Sequence, residues 1–268
     1  MGNENKRKKQ PEDGLLFPEE RRQRILRVAE SQQRVTVEGL AKLFAVSPVT
    51  IRSDLARLER QGLITRTHGG AVPALPQRVD LAFAAREQVQ QNEKERIGVA
   101  AASLIQNGES IALDASTTAL QLARNLRGAK EITVITNGIR VAEEIANYPG
   151  LTIMLLGGLI RPAAMSVVGN WSEAVLHQIN VGKAFVGAKG FTLAQGLTDV
   201  DGEEVKLKQA LVAVAREVTA IIDHTKWGQV GLATFCPTDR IHRIITNRAA
   251  PKDLVQKARQ RGIEVMLV

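Results

Sequence analysis

The sequence contains little cysteine and few aromatic residues. Cys236 is the one cysteine among 268 residues, and the aromatic residues are two Trp, one Tyr and six Phe. A single cysteine cannot form an intramolecular disulfide, which excludes a secreted disulfide scaffold and favours a reducing compartment. So few aromatic side chains also exclude the stacking platforms that read single-stranded nucleic acid.

Long apolar runs are also missing. No stretch approaches the roughly 18 apolar residues that a membrane span requires, and the N-terminus lacks the apolar core of a signal peptide. We therefore expect a cytoplasmic protein with no membrane partner. Hydrophobic residues make up 44% of the chain, which suffices for a packed core.

The positive charge is concentrated near the N-terminus. The chain has 36 Lys and Arg against 28 Asp and Glu, a net charge of +8. Residues 1–78 hold 15 basic and 9 acidic residues, or +6, whereas residues 79–268 hold 21 and 19, or +2. We expect residues 1–17, with the basic run Lys6–Lys9, to form a disordered tail that either solubilises the chain or binds DNA non-specifically.

Residues 18–73 have the pattern of a winged helix-turn-helix domain, with the helix-turn-helix at about 35–54. Prolines and hydroxyl residues at helix starts, and glycines at a hairpin tip, support this prediction. The predicted elements are a helix from Pro18 to about Gln32, a helix capped by Thr36, a helix from Ser47-Pro48 to near Gly62, and a hairpin of Leu63–Thr67 with Ala71–Val72.

The third predicted helix has an apolar face and an opposite polar, basic face. Ile51, Leu55 and Leu58 fall within about 60° of one another and predict the buried stripe. A recognition helix needs short polar residues near base edges and Arg near guanine or phosphate. The alternative is a three-helix bundle with a solvated charged face. The predicted DNA-contacting residues are Ser47, Val49, Thr50, Arg52, Ser53, Arg57, Arg60, Arg66, His68, Gly69 and Gly70.

After a linker at 74–92 that includes a short helix, strand-like runs alternate with helical stretches. This alternation is typical of a mostly parallel sheet covered by helices. The predicted fold class is therefore α/β, with the N-terminal winged helix-turn-helix followed by a mostly parallel domain at 93–268. Strands are predicted at 110–113, 132–136, 152–156, 183–187, 219–223, 241–246 and 264–268, and helices at 94–106, 117–127, 138–147, 171–179, 203–216 and 252–261.

Polar residues follow several of these strands. Ligands bind outside the carboxyl ends of strands in open α/β sheets, so we expect one site there. Hydroxyl and N–H groups at a helix start suit an anion, cations would balance a phosphate, and Asp114, Asn137 and Glu204 would bond sugar hydroxyls. The alternatives are helix caps and solvated charges. The predicted effector-binding residues are Asp114, Ser116, Thr117, Thr118, Asn137, Gly158, Arg161, Lys189, Glu204 and Lys226.

Neither a metal nor a cofactor is expected. The loop after residue 113 contains no glycine, so it is neither a dinucleotide fingerprint nor a P-loop. His224 follows Asp223 near the predicted site, but no second His or Cys gives metal-ligand spacing. Cys236 has no neighbouring base and is expected to pack in the core.

The text from Arg21 to Val72, "RRQRIL" and "VTVEGLAKLFAVSPVTIRSDLARLERQGLITRTHGGAV", resembles the DeoR family of bacterial transcription regulators. The segments "DASTTA", "VITNG", "LLGGLIR", "VGAKGF" and "IIDHTKWG" resemble its effector domain, so the likeness spans about 18–268. It implies a repressor of carbohydrate catabolism and a domain similar in fold to ribose-5-phosphate isomerase and glucosamine-6-phosphate deaminase.

The resemblance also implies site roles and an assembly. Ser116, Thr117 and Thr118 would hold the phosphate, Lys226 would line the site, and the α/β domain would form a homodimer or homotetramer. Two positions depart from the family pattern. Many members have Arg in place of Ser53, which predicts a different operator preference. Lys189 stands where members often have a small polar or acidic residue, which favours an acidic ligand or an internal ion pair.

The leading hypothesis is a non-enzymatic repressor that binds a double-stranded operator and is released by a phosphorylated sugar or related metabolite. One alternative is an activator or dual regulator with the same domains. Another is a sugar-phosphate isomerase or deaminase with a DNA-binding appendage, for which Asp114, Glu204 and Asp223 are the candidate bases.

Overall fold

The computed structural model describes residues 18–32, 34–60, 63–67, 69–73 and 83–268. The chain divides into two compact units, one within residues 1–74 and the other within 75–268. The predicted tail at 1–17, residue His68, the predicted helix end at Gly62 and linker residues 74–82 lie outside the described residues.

The N-terminal unit consists of three helices and a small antiparallel sheet. Its elements are α1 (Pro18–Gln32), β1 (Val35–Thr36), α2 (Val37–Phe44), α3 (Pro48–Arg60), β2 (Ile64–Thr67) and β3 (Gly70–Pro73). The sheet order is β1-β3-β2, so the predicted hairpin has a third strand, which the sequence pattern missed because β1 contains two residues. Ile25, Ile51 and Leu55 form the centre of the core.

The C-terminal unit is built on a seven-stranded sheet in which all neighbouring strands are parallel. The strand order is β15-β14-β12-β9-β4-β5-β6. These strands are β4 (Ser110–Leu113), β5 (Ile132–Thr136), β6 (Leu151–Leu155), β9 (Val181–Val186), β12 (Ala215–Ile221), β14 (Arg243–Thr246) and β15 (Glu264–Leu267). The predicted parallel α/β domain is confirmed.

Helices cover both faces of this sheet. They are α4 (Phe83–Gln88), α5 (Gln91–Ala102), α6 (Thr117–Arg124), α7 (Ile139–Ile145), α8 (Asn170–Leu176), α9 (Gly202–Val214) and α10 (Lys252–Gln260). Apolar residues of α5, α6 and α7 pack in one cluster, and those of α8, α9 and α10 pack in a second cluster. Parallel strands that are buried on both faces read as continuous apolar runs, which is why the sequence predicted them.

Five short strands of the C-terminal unit were also not predicted. They are β7 (Leu159–Arg161), β8 (Ser166–Val168), β10 (Gly190–Thr192), β11 (Gly196–Asp199) and β13 (Ala233–Cys236). β7 and β8 pair antiparallel, and β10, β11 and β13 form a second antiparallel sheet. Three or four residues do not establish a strand period, so these elements carry no readable signal.

Several predicted helices extend too far, because those predicted to reach residues 106, 127 and 179 end at Ala102, Arg124 and Leu176. The sequence pattern placed a helix at 203–216, but α9 ends at Val214 and β12 begins at Ala215 without a loop. No helix in the described ranges is both long enough and apolar enough to cross a membrane.

Candidate functional site

The outward face of α3 is polar, basic and exposed. Ile51, Leu55 and Leu58 are buried, as the periodicity predicted. Val49 is 70% exposed. The other predicted residues of this face that lie exposed are Ser47, Arg52, Ser53, Arg57 and Arg60, and Thr50 is half-buried.

The turn before α3 is fixed by hydrogen bonds. Ala45 ends α2 in the left-handed conformation, with φ of 51°. The Ser47 Oγ accepts a hydrogen bond from the Thr50 backbone N–H at 3.1 Å and lies 2.8 Å from the Thr50 Oγ1. Ser47 is therefore the N-cap that its sequence context predicted, and its hydroxyl and that of Thr50 are both engaged in this cap.

A buried ion pair that the sequence pattern did not reveal holds α3 against α1. The Arg21 Nε lies 2.6 Å from the Asp54 Oδ2, and an Arg22 guanidinium nitrogen lies 3.3 Å from the Asp54 Oδ1. The side chain of Asp54 is 4% exposed. The one available signal was the position of Asp54 on the apolar side of the helix, three residues after Ile51. A carboxylate there needs a buried partner.

The hairpin of β2 and β3 is the wing of this domain, and its predicted DNA-contacting residues differ in their exposure. Arg66 is exposed, and its backbone N–H donates to the Glu59 carboxylate at 3.2 Å. Gly69 is exposed with φ of +81°, a conformation that favours glycine. Gly70 is buried, and a Cβ there would lie 2.0 Å from the Val35 carbonyl oxygen. The structure accounts for Gly70 by its close pairing with β1 rather than by access to a phosphate.

The predicted effector site lies at the carboxyl edge of the parallel sheet. β14, β12, β9, β4 and β5 are consecutive neighbours, so the residues after each strand lie along one edge. After β4, the half-buried Ser116 caps α6 by accepting a hydrogen bond from the Ala119 N–H at 3.1 Å. Thr117 and Thr118 are buried in the first turn of this helix.

Asp114 lies beneath the loop that precedes α6 and is fully buried. Its carboxylate accepts from the Ser116 N–H at 3.2 Å and the Gly187 N–H at 2.9 Å. The Lys208 Nζ lies 3.0 Å from Asp114 and 2.7 Å from Asp199. These contacts give Asp114 a structural role in holding the loop, in place of the predicted bond to a sugar hydroxyl.

The charges around Lys208 stabilise one another. Burial alone would lower the pKa of Lys208, but Asp199 and Asp114 raise it well above its usual range. Burial alone would raise the pKa of Asp199, but Lys208 and, more weakly, Lys189 hold it below its usual value. Lys189 is half-buried, and its charge acts on the buried carboxylate of Asp199. The Lys208 ammonium group and the Asp199 carboxylate therefore remain ionised at neutral pH.

Arg161 and Glu204 form a second cluster on the same side of the unit. Guanidinium nitrogens of Arg161 lie 3.0 Å from the Glu204 carboxylate and 3.0 Å from that of Asp201. The Ser166 hydroxyl donates to Glu204, which is buried. The charges predicted to meet a phosphate and a sugar hydroxyl thus already meet each other.

Asn137 and Gly158 follow β5 and β6. Asn137 is fully buried, and its Nδ2 donates to the Val167 carbonyl at 3.2 Å. The Asn137 Oδ1 has no hydrogen-bond partner within the part of the chain that the structure describes. A Cβ on Gly158, whose φ is +150°, would lie 2.3 Å from the Val168 carbonyl oxygen, so Gly158 allows close packing.

A buried lysine that the sequence pattern did not single out lies at this edge. Lys94, in the first turn of α5, is 5% exposed, and its Nζ donates to the Arg86 carbonyl and, at 2.6 Å, to the Val89 carbonyl. Burial lowers its pKa to about 7, against the opposing charge of Asp223. Lys94 lies in a run of polar residues typical of a solvated helix, so the sequence alone did not indicate that it is buried.

Lys94 is level with the start of α6. A Cβ on Gly98 of α5 would lie 2.6 Å from the backbone of Gln121 of α6, so the two helices touch at this point. Both helices begin at the carboxyl edge, and Lys94 and Thr117 each lie one turn before the contact. The buried Lys94 therefore lies at the same height along α5 as the start of α6, whose first turn is rich in hydroxyl groups.

Lys226 joins the same edge after β12. Its Nζ lies 3.9 Å from the Asp223 Oδ2, and its side chain is 30% exposed. Burial would raise the pKa of Asp223, but Lys226, hydrogen bonds from Thr225 and Lys94 hold it below its usual value. The Asp223 carboxylate thus interacts through its charge with both Lys94 and Lys226. His224 is bound to Asn247, with its Nδ1 2.9 Å from the Asn247 Nδ2.

A helix-turn-helix unit followed by an α/β unit with cations at its carboxyl edge defines a DNA-binding protein with a ligand-sensing domain. Residues 21–76 match the family model of the DeoR-like helix-turn-helix domain, and residues 89–248 match that of the DeoR C terminal sensor domain. The chain belongs to the DeoR family of helix-turn-helix transcriptional regulators, as the resemblance implied.

Named relatives match the chain along nearly its whole length. It is 35% identical to the HTH-type transcriptional regulator GolR of Listeria innocua, over 94% of this chain and 99% of the relative. It is 33% identical to the HTH-type transcriptional repressor GlcR of Bacillus subtilis, over 94% of this chain and 97% of the relative.

Solved structures of ribose-5-phosphate isomerase A show a weaker likeness. The enzyme from Neisseria gonorrhoeae is 15% identical, with a TM-score of 0.39 over 52% of this chain and 54% of that chain. A likeness at this level carries no argument about activity.

Proposed function

We propose that this chain is a repressor of a carbohydrate-catabolism operon and that a phosphorylated sugar or related metabolite releases it from DNA. In this proposal residues 18–73 read the operator and residues 93–268 bind the effector. The observation that carries it is the buried Lys94 beside the hydroxyl-rich start of α6. Burial lowers the pKa of Lys94 to about 7, and an anionic ligand beside it would stabilise its charged form.

The DNA-reading role rests on the exposed face of α3. Arg57 is exposed opposite the buried stripe, while Asp54 and the Ser47 cap fix the orientation and first turn of the helix. A recognition helix presents its first turn to base edges and its later arginines to guanine or phosphate. Operators read by such helices contain two half-sites, so the proposal includes a homodimer or homotetramer.

The ligand is bound without turnover in this proposal. Catalysis on a sugar phosphate needs a carboxylate poised to move a proton at the sugar carbons. Asp114, Glu204 and Asp223 are all buried and paired with Lys208, Arg161 and Lys226, respectively. Conversion of ribose-5-phosphate or glucosamine-6-phosphate by the full chain would contradict this part of the proposal.

The test is fluorescence anisotropy of the full chain on DNA from upstream of its own operon. Ribose-5-phosphate, fructose-6-phosphate, glucosamine-6-phosphate and other sugar phosphates are added one at a time, with each unphosphorylated sugar as the matched control. We expect at least one phosphorylated sugar to weaken binding while its unphosphorylated form does not. If no member of a broad panel changes the operator affinity, induction by a sugar phosphate is refuted.

A further inference from the structure

Exposed apolar side chains lie around the edge strand β6, at one side of the C-terminal unit. Residues 151–160 contain no charged side chain, and Trp171 and Val175 lie nearby on α8. We define the β6 surface by its exposed apolar side chains and their exposed fractions: Met154 (37%), Leu155 (47%), Leu159 (74%), Ile160 (63%), Trp171 (79%) and Val175 (40%).

The segments that form the β6 surface are fixed against one another. The Ser172 Oγ donates to the Gly157 carbonyl at 2.6 Å, which ties α8 to the loop between β6 and β7. Trp171 and Val175, four residues apart, share the outer face of α8, while Ser172 and Leu176 are buried. The surface is therefore a preformed patch on packed elements.

The two edges of the parallel sheet differ in protection. At one edge, β15 carries Glu264, which is paired with Arg243 of the neighbouring strand at 2.7 Å. At the other edge, β6 has neither a charge nor a proline, and in the described residues it pairs only with β5. Proteins protect free edges with charges, prolines or bulges because an open strand pairs with another chain.

We propose that the β6 surface joins two copies of this chain, with β6 of each copy pairing antiparallel across a twofold axis. A twofold interface brings one patch onto itself, so an apolar patch beside an open strand is self-complementary. The six side chains expose on the order of 600 Å², near the roughly 800 Å² that each partner gives to a stable interface. This sum is at the upper end of the range of about 300–600 Å² for the largest apolar patch of a typical monomer.

The proposal rests on the proposed function only for the expectation of two operator half-sites. Its test therefore uses the full chain without DNA and without a sugar phosphate. Size-exclusion chromatography with light scattering gives the mass of the wild type and of the Trp171→Glu and Leu159→Glu variants. Leu232→Glu is the matched control, because Leu232 is 68% exposed but lies outside the β6 surface.

We expect a wild-type mass of at least twice 29.2 kDa, halved in both variants and unchanged in the control. Loss of a central aromatic anchor is expected to raise the dissociation constant about 30-fold or more. Amide hydrogen exchange at residues 151–155 should be slow in the wild type and faster in the dissociated variants. Thermal unfolding checks that each variant is folded, which the high exposure of both side chains favours.

A monomeric wild type overturns the proposal, even if operator binding and effector response are intact. It is equally overturned if both variants keep the wild-type mass, or if Leu232→Glu dissociates the assembly as they do.

Discussion

Binding of a sugar phosphate beside Lys94 is expected to take up a proton at neutral and basic pH. In the free protein, burial lowers the pKa of Lys94 to about 7. A phosphate placed beside the ammonium group favours its charged form and raises the pKa again. At pH 8, about nine-tenths of a group with such a pKa is neutral, so binding takes up about 0.9 proton. At pH 7 the expected uptake is about 0.5 proton.

The same linkage sets the direction in which affinity changes with pH. A phosphate monoester is a dianion above its second pKa of about 6, so the charge of Lys94 changes between pH 7 and 9 while that of the ligand does not. Its neutral form predominates as the pH rises, and the affinity for a sugar phosphate is expected to fall about 50-fold over this range. Asp223, Lys226, Arg86 and Glu87 act on Lys94 through their charges, and Asp223 stays ionised because its pKa is lowered.

Isothermal titration calorimetry of the full chain with the sugar phosphate that releases the operator measures this uptake. The titration is repeated at pH 7, 8 and 9 in two buffers that differ in ionisation enthalpy. The Lys94→Met variant should bind the sugar phosphate more weakly than the wild type. Its binding should show neither the proton uptake nor the pH dependence. Lys206→Met, at a side chain that is 58% exposed, is the matched control. The reasoning is refuted if the wild type takes up no proton at pH 8, or if Lys94→Met takes up as many.

Three further predictions concern other parts of the chain. Arg57→Ala should weaken operator binding by about 1–3 kcal/mol in anisotropy measurements without changing thermal unfolding. The control Arg261→Ala, at another exposed arginine, should leave operator binding unchanged. Unaltered binding by Arg57→Ala would place the DNA-reading face elsewhere. Asp54→Ala leaves two arginines without their buried partner and should destabilise the N-terminal unit by about 3–5 kcal/mol in urea unfolding; a loss near zero would contradict the importance of the pair. Gly187→Ala places a Cβ 2.6 Å from the side chain that caps α6. It should weaken sugar-phosphate binding about tenfold, the loss of a hydrogen bond of about 1.4 kcal/mol, unlike Gly202→Ala, where the space is open; equal affinities would show that the loop tolerates displacement.

The elements with a strong local signal were predictable from sequence. Ser47-Pro48 fixed the start of α3, and the spacing of Ile51, Leu55 and Leu58 identified its buried stripe, both of which the structure confirms. The parallel strands were predictable because burial on both faces gives continuous apolar runs. β7, β8, β10, β11 and β13 were missed because three or four residues define no period.

The connections within the site were not predictable, because they join residues far apart in the chain. Asp54 pairs with Arg21 of another helix, and Lys208 joins Asp114 to Asp199. Lys94 stands among charged residues that are solvated in most helices. Its burial becomes visible only in the structure, where α5 packs against α6 and Asp223, which follows β12, acts on Lys94 through its charge. The sequence indicated which edge of the sheet holds the polar residues, and the structure shows which of them bind one another.

A phosphorylated ligand at the carboxyl edge of the C-terminal unit is expected to lower the operator affinity of the N-terminal unit. The most direct test is operator anisotropy for the wild type and Lys94→Met, titrated with the same sugar phosphate at pH 7. We expect both proteins to bind the operator equally well without ligand, and we expect the sugar phosphate to release the wild type but not the variant at the same concentration. Equal release of both proteins, or no release of the wild type by any sugar phosphate, would contradict it.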